Sequence, residues 1–90
     1  MSFTRITDDL LYPFLCIGDI ILIRLQTDFK NNDVLVVEKN GRFIARKVRI
    51  YDKFVLLHSM DVDTPSVELT NDIKVIGVAV ELFRRFNSYD

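Results

Sequence analysis

With 90 residues, 49% of them hydrophobic and 28% charged, the chain has the composition of one globular domain and is too short to divide between two separate cores. A formal charge of −1 gives no long-range pull toward nucleic-acid phosphates or anionic lipid, so direct nucleic-acid binding is disfavoured, and no apolar run reaches the roughly 18–20 residues that span a bilayer. The start, MSFTRITDD, lacks the basic and then apolar order of a signal peptide, which points to the cytoplasm, and a single Cys16 with a single His58 makes neither a disulfide nor a His/Cys zinc site.

In chain order, DDLLYPF at residues 8–14 allows at most one short helical turn, capped by Asp8 or Asp9 and stopped by Pro13. After Gly18, DIILIRL at 19–25 is short and rich in β-branched residues, which predicts a strand covered on both faces. The polar QTDFKNND turns the chain, and DVLVVEK at 33–39 predicts a second strand. Asn40-Gly41 then suits a two-residue type I′ hairpin leading into RFIARKVRIY. A reversal at Asp52-Lys53 sends KFVLLHS back, completing a three-stranded antiparallel meander. The acidic MDVDTPSVELTN reads as loop with a short strand near Val67, punctuated by Pro65. IKVIGVAVELFRRF closes the chain as a long strand up to Phe86, with Gly77 marking a bend, a bulge or a close backbone approach.

These elements resemble, in order, the carboxy-terminal domain of LexA, UmuD and phage CI-type repressors, in the serine–lysine peptidase superfamily that also holds signal peptidases. The resemblance covers about residues 9–85. Asp9-Leu10-Leu11-Tyr12-Pro13 followed by Gly18-Asp19 and an apolar strand matches the family's D-S-M-x-P and G-D block, with Leu10 at the serine position. VVEKNGRFIARKVRI supplies the family hairpin, with Arg46 at the lysine position. Leu56-Leu57 and Pro65 fall where the family has its V-x-L-L-P-x-N segment and later proline, although Met60 replaces the asparagine, and IKVIGVAV resembles its closing strand. The resemblance implies a mainly β fold of bent sheets with antiparallel hairpins, and a structural motif made of Asp9, Pro13, Gly18, Asp19, Asn40, Gly41, Pro65 and Gly77.

A serine–lysine peptidase needs a hydroxyl and a neutral amine to take its proton. Leu10 has no nucleophilic atom, and the guanidinium of Arg46 stays protonated in proteins and cannot act as the base. Lys47 is one register position away and points to the other face of the strand. Ser59-Met60 imitates the missing pair but follows the hairpin, which sets it at the end of the wrong strand. With nine residues before Leu10 in this sequence, the cleavable segment that autocleaving members carry upstream of their serine is not expected. Two leucines at the former nucleophile are expected to join the core, and Arg46 is expected to pair with Asp9 or Asp19 or to reach solvent.

The basic run Arg42, Arg46, Lys47 and Arg49, with Phe43 and Tyr51 interleaved, offers a nucleic-acid surface in principle. On an alternating strand these charges divide between the faces and better suit a solvated edge. His58 has no activated nucleophile beside it and reads as structural, and Asp61, Asp63, Glu68 and Asp72 lack the calcium-loop pattern and its glycine.

The expectation is a single domain over residues 1–90 that is not an enzyme. It would be a LexA-like pseudopeptidase, with no cofactor or metal, that dimerises with itself or with a LexA-like partner, in phage or stress-response regulation. The last strand, through Val78, Val80, Leu82 and Arg84, is the expected interface if it lies uncovered at a sheet edge. The alternatives are an unconventional serine peptidase and a nucleic-acid-binding β-domain using the basic hairpin.

Overall fold

Asn40 and Gly41 take φ angles of 54° and 77°. Two successive positive values are what a type I′ turn requires, and they fix the register of the hairpin around them. In the computed structural model, which describes residues 1–85, that hairpin joins β3 (Val34–Lys39) to β4 (Arg42–Ile50), with Val36 opposite Ala45 and Leu35 opposite Arg46. A second reversal, in which Tyr51 N donates to Phe54 O at 2.9 Å, returns the chain as β5 (Val55–His58), completing the meander. β6 (Val67–Glu68) pairs with β5 where the short strand was expected.

The remaining strands are β1 (Ser2–Arg5), β2 (Ile20–Leu25) and β7 (Lys74–Phe83). The expected bent sheets join as one antiparallel sheet in the order β1-β2-β7-β3-β4-β5-β6, and the described residues contain no helix. β1 has no counterpart among the sequence-predicted elements. Its four residues alternate between half-buried and exposed, too short a pattern to separate from loop, and pairing with β2 holds it in place.

VLVV in β3 lies between two strands and under both faces, so all four residues are buried. Val34 and Val36 join Ile6, Leu11, Leu15, Ile21, Ile23 and Ala45 on one face. Leu35 and Val37 join Val48, Leu57, Ile73 and Val78 on the other. Full burial of each large side chain contributes roughly 1.5–3 kcal/mol, so this central strand anchors both clusters.

The condition of an uncovered edge is not met over the first half of the last strand. β7 sits between β2 and β3, and Val78 is buried and paired on both sides, with Arg24 and with Leu35. Ile73 and Val78 are buried in the core cluster on that face, which leaves Val78 no exposed side chain to offer a partner. From Ala79 to Phe83 the strand pairs with β2, and its pairing with β3 has ended at Val78. Phe86, the expected end of this strand, lies outside the described residues.

Gly77 marks a close backbone approach. A Cβ there would stand 2.8 Å from Ile23 Cγ2 and 2.9 Å from the Arg24 carbonyl carbon, and closer still to the Arg24 oxygen. On either side of it, Ile76 is the unmatched residue opposite β3 and Val80 the unmatched residue opposite β2, giving two register shifts in one strand.

Candidate functional site

The elbow between β1 and β2 is held by its own backbone. Ile6 N donates to Asp19 O at 2.8 Å and Gly18 N to Ile6 O at 2.9 Å, closing the loop at its base. Within it, Asp8 Oδ1 accepts from Leu10 N at 3.1 Å, Tyr12 N donates to Asp9 O and Leu15 N to Leu11 O, so the residues turn without forming a helix. The Tyr12–Pro13 peptide is cis. This turn sends Leu11 and Leu15 into the core at 2% and 3% exposure and leaves Leu10 half-buried above β4. The expectation that both leucines join the core is therefore met by Leu11 and corrected for Leu10.

Leu10 lines a cavity of about 180 Å³ together with Arg46, Lys39, Ile44, Leu57, Ser59, Thr64, Pro65, Val67 and Ile73. Its walls are mostly apolar, and its polar groups are largely engaged. Arg46 is only 13% exposed and binds Asp8 through both terminal nitrogens, Nη1 to Oδ1 at 3.3 Å and Nη2 to Oδ2 at 3.2 Å, while Nη1 also donates to Ala45 O at 2.7 Å. Thr64 Oγ1 donates to Asp61 Oδ2, and Ser59 Oγ donates to Asp61 O and accepts from Asp61 N, both at 3.2 Å.

Two partners differ from expectation for a local reason. Asp8, not Asp9 or Asp19, neutralises Arg46, because the bond from Asp8 to Leu10 N turns its carboxylate over β4. Asp19 is committed elsewhere. It is 3% exposed and accepts from Arg84 Nε at 2.9 Å, Arg84 Nη2 at 2.7 Å and Cys16 N at 2.8 Å. The Arg84 guanidinium holds the Asp19 carboxyl below its ordinary value of 3.8, and the Cys16 amide adds to this against the cost of burial. The pair ties the elbow to the end of β7, across 65 residues of sequence.

Because the Asp19 value is depressed on folding, the stability it contributes is complete above the unfolded value near 3.8 and is lost as pH falls through the lower folded one. Asp19→Asn is expected to lower stability at pH 7 by about 2 kcal/mol, in line with the loss of charged hydrogen bonds to a half-exposed partner. Urea titrations at stepped pH check this. The gap between variant and wild type should stay constant above about pH 5 and narrow below pH 4, whereas a gap independent of pH would assign Asp19 a packing role only.

The structure divides the basic run. Arg46 faces the cavity and Asp8, while Lys47 lies on the other face with Nζ 5.1 Å from the centre of the Phe14 ring. Arg42 and Arg49 are exposed near opposite ends of β4, and Tyr51 stacks on Phe54 with ring centres 4.8 Å apart. Ser59 lies beyond β5, as its order in the sequence predicts, yet it reaches the Leu10 cavity. Met60 N donates to Leu10 O at 2.7 Å and draws the loop against the elbow. The register sets it close by, since the β4–β5 ladder ends with Lys47 opposite His58 and Ser59 follows directly.

A family model described as Peptidase S24-like matches residues 1–80. The chain belongs to the Peptidase S24-like family. The match bears out the resemblance to LexA- and UmuD-type domains and extends it forward over β1. A search of curated proteins found no match to the chain. Within this S24 domain the motif residues do separable work. Asp9 contributes a carbonyl to the elbow turn, Gly18 and Asp19 close the elbow, Asn40 and Gly41 make the hairpin, Pro65 walls the cavity and Gly77 admits β2 against β7.

Proposed function

We propose that this S24 domain holds a partner and does not cut it, acting as a catalytically inactive module that forms a homodimer or pairs with a LexA-like protein in phage or stress-response regulation. The observation that carries this reading is the chemistry around Leu10. A hydrocarbon stands where the resemblance sets the nucleophile, and a guanidinium bound to Asp8 stands where it sets the base. The nearest lysine along β4, Lys47, points away onto Phe14. Association uses the half of β7 that β3 does not reach. There Ala79, Val80, Glu81 and Leu82, with Phe14 and Val34, line an open groove of about 150 Å³, and an extended strand added to that edge would bury Val80 and Leu82.

Sedimentation equilibrium tests it. At about 0.5 M salt, wild type should dimerise and Leu82→Glu should be monomeric with an unchanged circular dichroism spectrum. A wild type that stays monomeric at high concentration and forms no mixed dimer with a LexA-like protein overturns the reading. One observation favours a serine peptidase-like enzyme instead, namely that Ser59 and Lys39 line the same cavity. A fluorophosphonate probe separates the two readings. An inactive module stays unlabelled, and modification at Ser59 establishes the enzyme.

A further inference from the structure

Two parts of the surface carry opposite charge. Residues 59–73 contain Asp61, Asp63, Glu68 and Asp72 and neither lysine nor arginine. The start of this segment is a fastened turn. Ser59 Oγ bonds both the nitrogen and the oxygen of Asp61, Asp61 Oδ1 accepts from Asp63 N at 3.1 Å, Asp61 Oδ2 accepts from Thr64 Oγ1 at 2.7 Å, and Thr64 N donates to Asp61 O at 3.1 Å. At its crest Val62 is 96% exposed. The turn thus presents an apolar side chain between two carboxylates in a fixed shape, so little further ordering is needed when it binds.

The complementary surface is an open groove of about 810 Å³ where the elbow, β1 and the end of β7 meet. Arg5, Arg84 and Arg85 supply its positive charge, and Ile17, Ile20 and Phe83 its apolar lining. Ile17 is 64% and Phe83 47% exposed. Asp19 neutralises Arg84, and among the described residues Arg5 and Arg85 have no carboxylate within salt-bridge distance. The groove shares no lining residue with the one along Ala79–Leu82.

We propose that the Asp61–Val62–Asp63 turn of one copy docks in the Arg5–Phe83–Arg85 groove of a second copy, so that copies join head to tail. Charge complementarity selects this occupant: the turn offers carboxylates flanking an apolar tip, and the groove offers guanidinium groups around an apolar floor. A nucleic-acid strand matches the charges of the groove but is not drawn by a chain of net charge −1. Because turn and groove are different surfaces, the contact is heterologous and each bound copy still offers one of each. Assembly therefore grows with concentration, and salt weakens it.

Sedimentation velocity in the Leu82→Glu background tests this apart from the β7-edge dimer, which that substitution removes. The expected result is a sedimentation coefficient that climbs with protein concentration at low salt and falls toward the monomer at about 0.5 M. A groove variant, Arg5→Glu with Arg85→Glu, and a turn variant, Val62→Lys with Asp63→Lys, should each weaken association at least about tenfold. Mixed in equal amounts they retain one intact turn and one intact groove, and should form one-to-one pairs and nothing longer. Arg85→Glu alone serves if the double groove variant loses its β-sheet spectrum. Growth unaffected by either variant, a mixture that does not pair, or a labelled oligothymidine that binds the groove of a monomeric protein each overturns the proposal. None of these outcomes bears on whether wild type dimerises through β7.

Discussion

Gly77→Ala is expected to destabilise the domain by about 3 kcal/mol or more, beyond the usual cost of an added methyl group in a packed core. Overpacking is usually relieved by side chains that swing aside. Here two of the three nearest atoms belong to the Arg24 peptide, which is fixed by the ladder between β2 and β7. Relief would require β2 and β7 to separate, and those strands carry Ile21, Ile23 and Val78 of both core clusters. Urea unfolding followed by circular dichroism measures the loss, with Gly41→Ala as a comparison at a positive-φ turn where an added Cβ meets nothing within 4 Å. A Gly77→Ala protein as stable as wild type would mean that β2 and β7 pack less closely than described.

Leu10→Ser alone is expected to leave fluorophosphonate labelling within about tenfold of background, because a hydroxyl without a base remains a weak nucleophile. Adding Arg46→Lys supplies an amine, but Asp8 beside it would keep that amine protonated. Asp8→Asn removes the charge while its side-chain oxygen continues to cap Leu10 N. The triple variant should therefore be the reactive one, by about 10²–10⁴-fold over Leu10→Ser, the range a positioned general base supplies. Labelling rates followed by intact-protein mass spectrometry test the order. Rapid labelling of Leu10→Ser alone would show that Arg46 is no obstacle, and the account of its role would fall.

Much of the fold is legible locally. The hairpin follows from Asn40-Gly41 and the short strand at Val67 from the turn residues around it, whereas the strand covered on both faces is β3 and not β2, whose residues alternate. β1 is not legible, because four alternating residues gain their strand character only from the β2 edge beside them. At the site, the identities of Leu10 and Arg46 are readable from order and spacing, whereas their partners are not. Asp8, Asp9 and Asp19 look alike in sequence, and the choice among them depends on which carboxylate the elbow turns over β4 and which it buries beside Arg84.

By itself the sequence determined the run of antiparallel strands, the family, and which atoms positions 10 and 46 can offer to chemistry, since periodicity, turn residues and functional groups are properties of the chain read in order. The tertiary structure decided that β7 lies between β2 and β3 with its last residues free on one side, that Ser59 shares a cavity with Leu10, and that acidic and basic surfaces lie apart. Those outcomes depend on pairings between residues far apart in the chain. A strand's own residues show that it will pair, but its neighbours are chosen by the burial of both faces of the whole sheet.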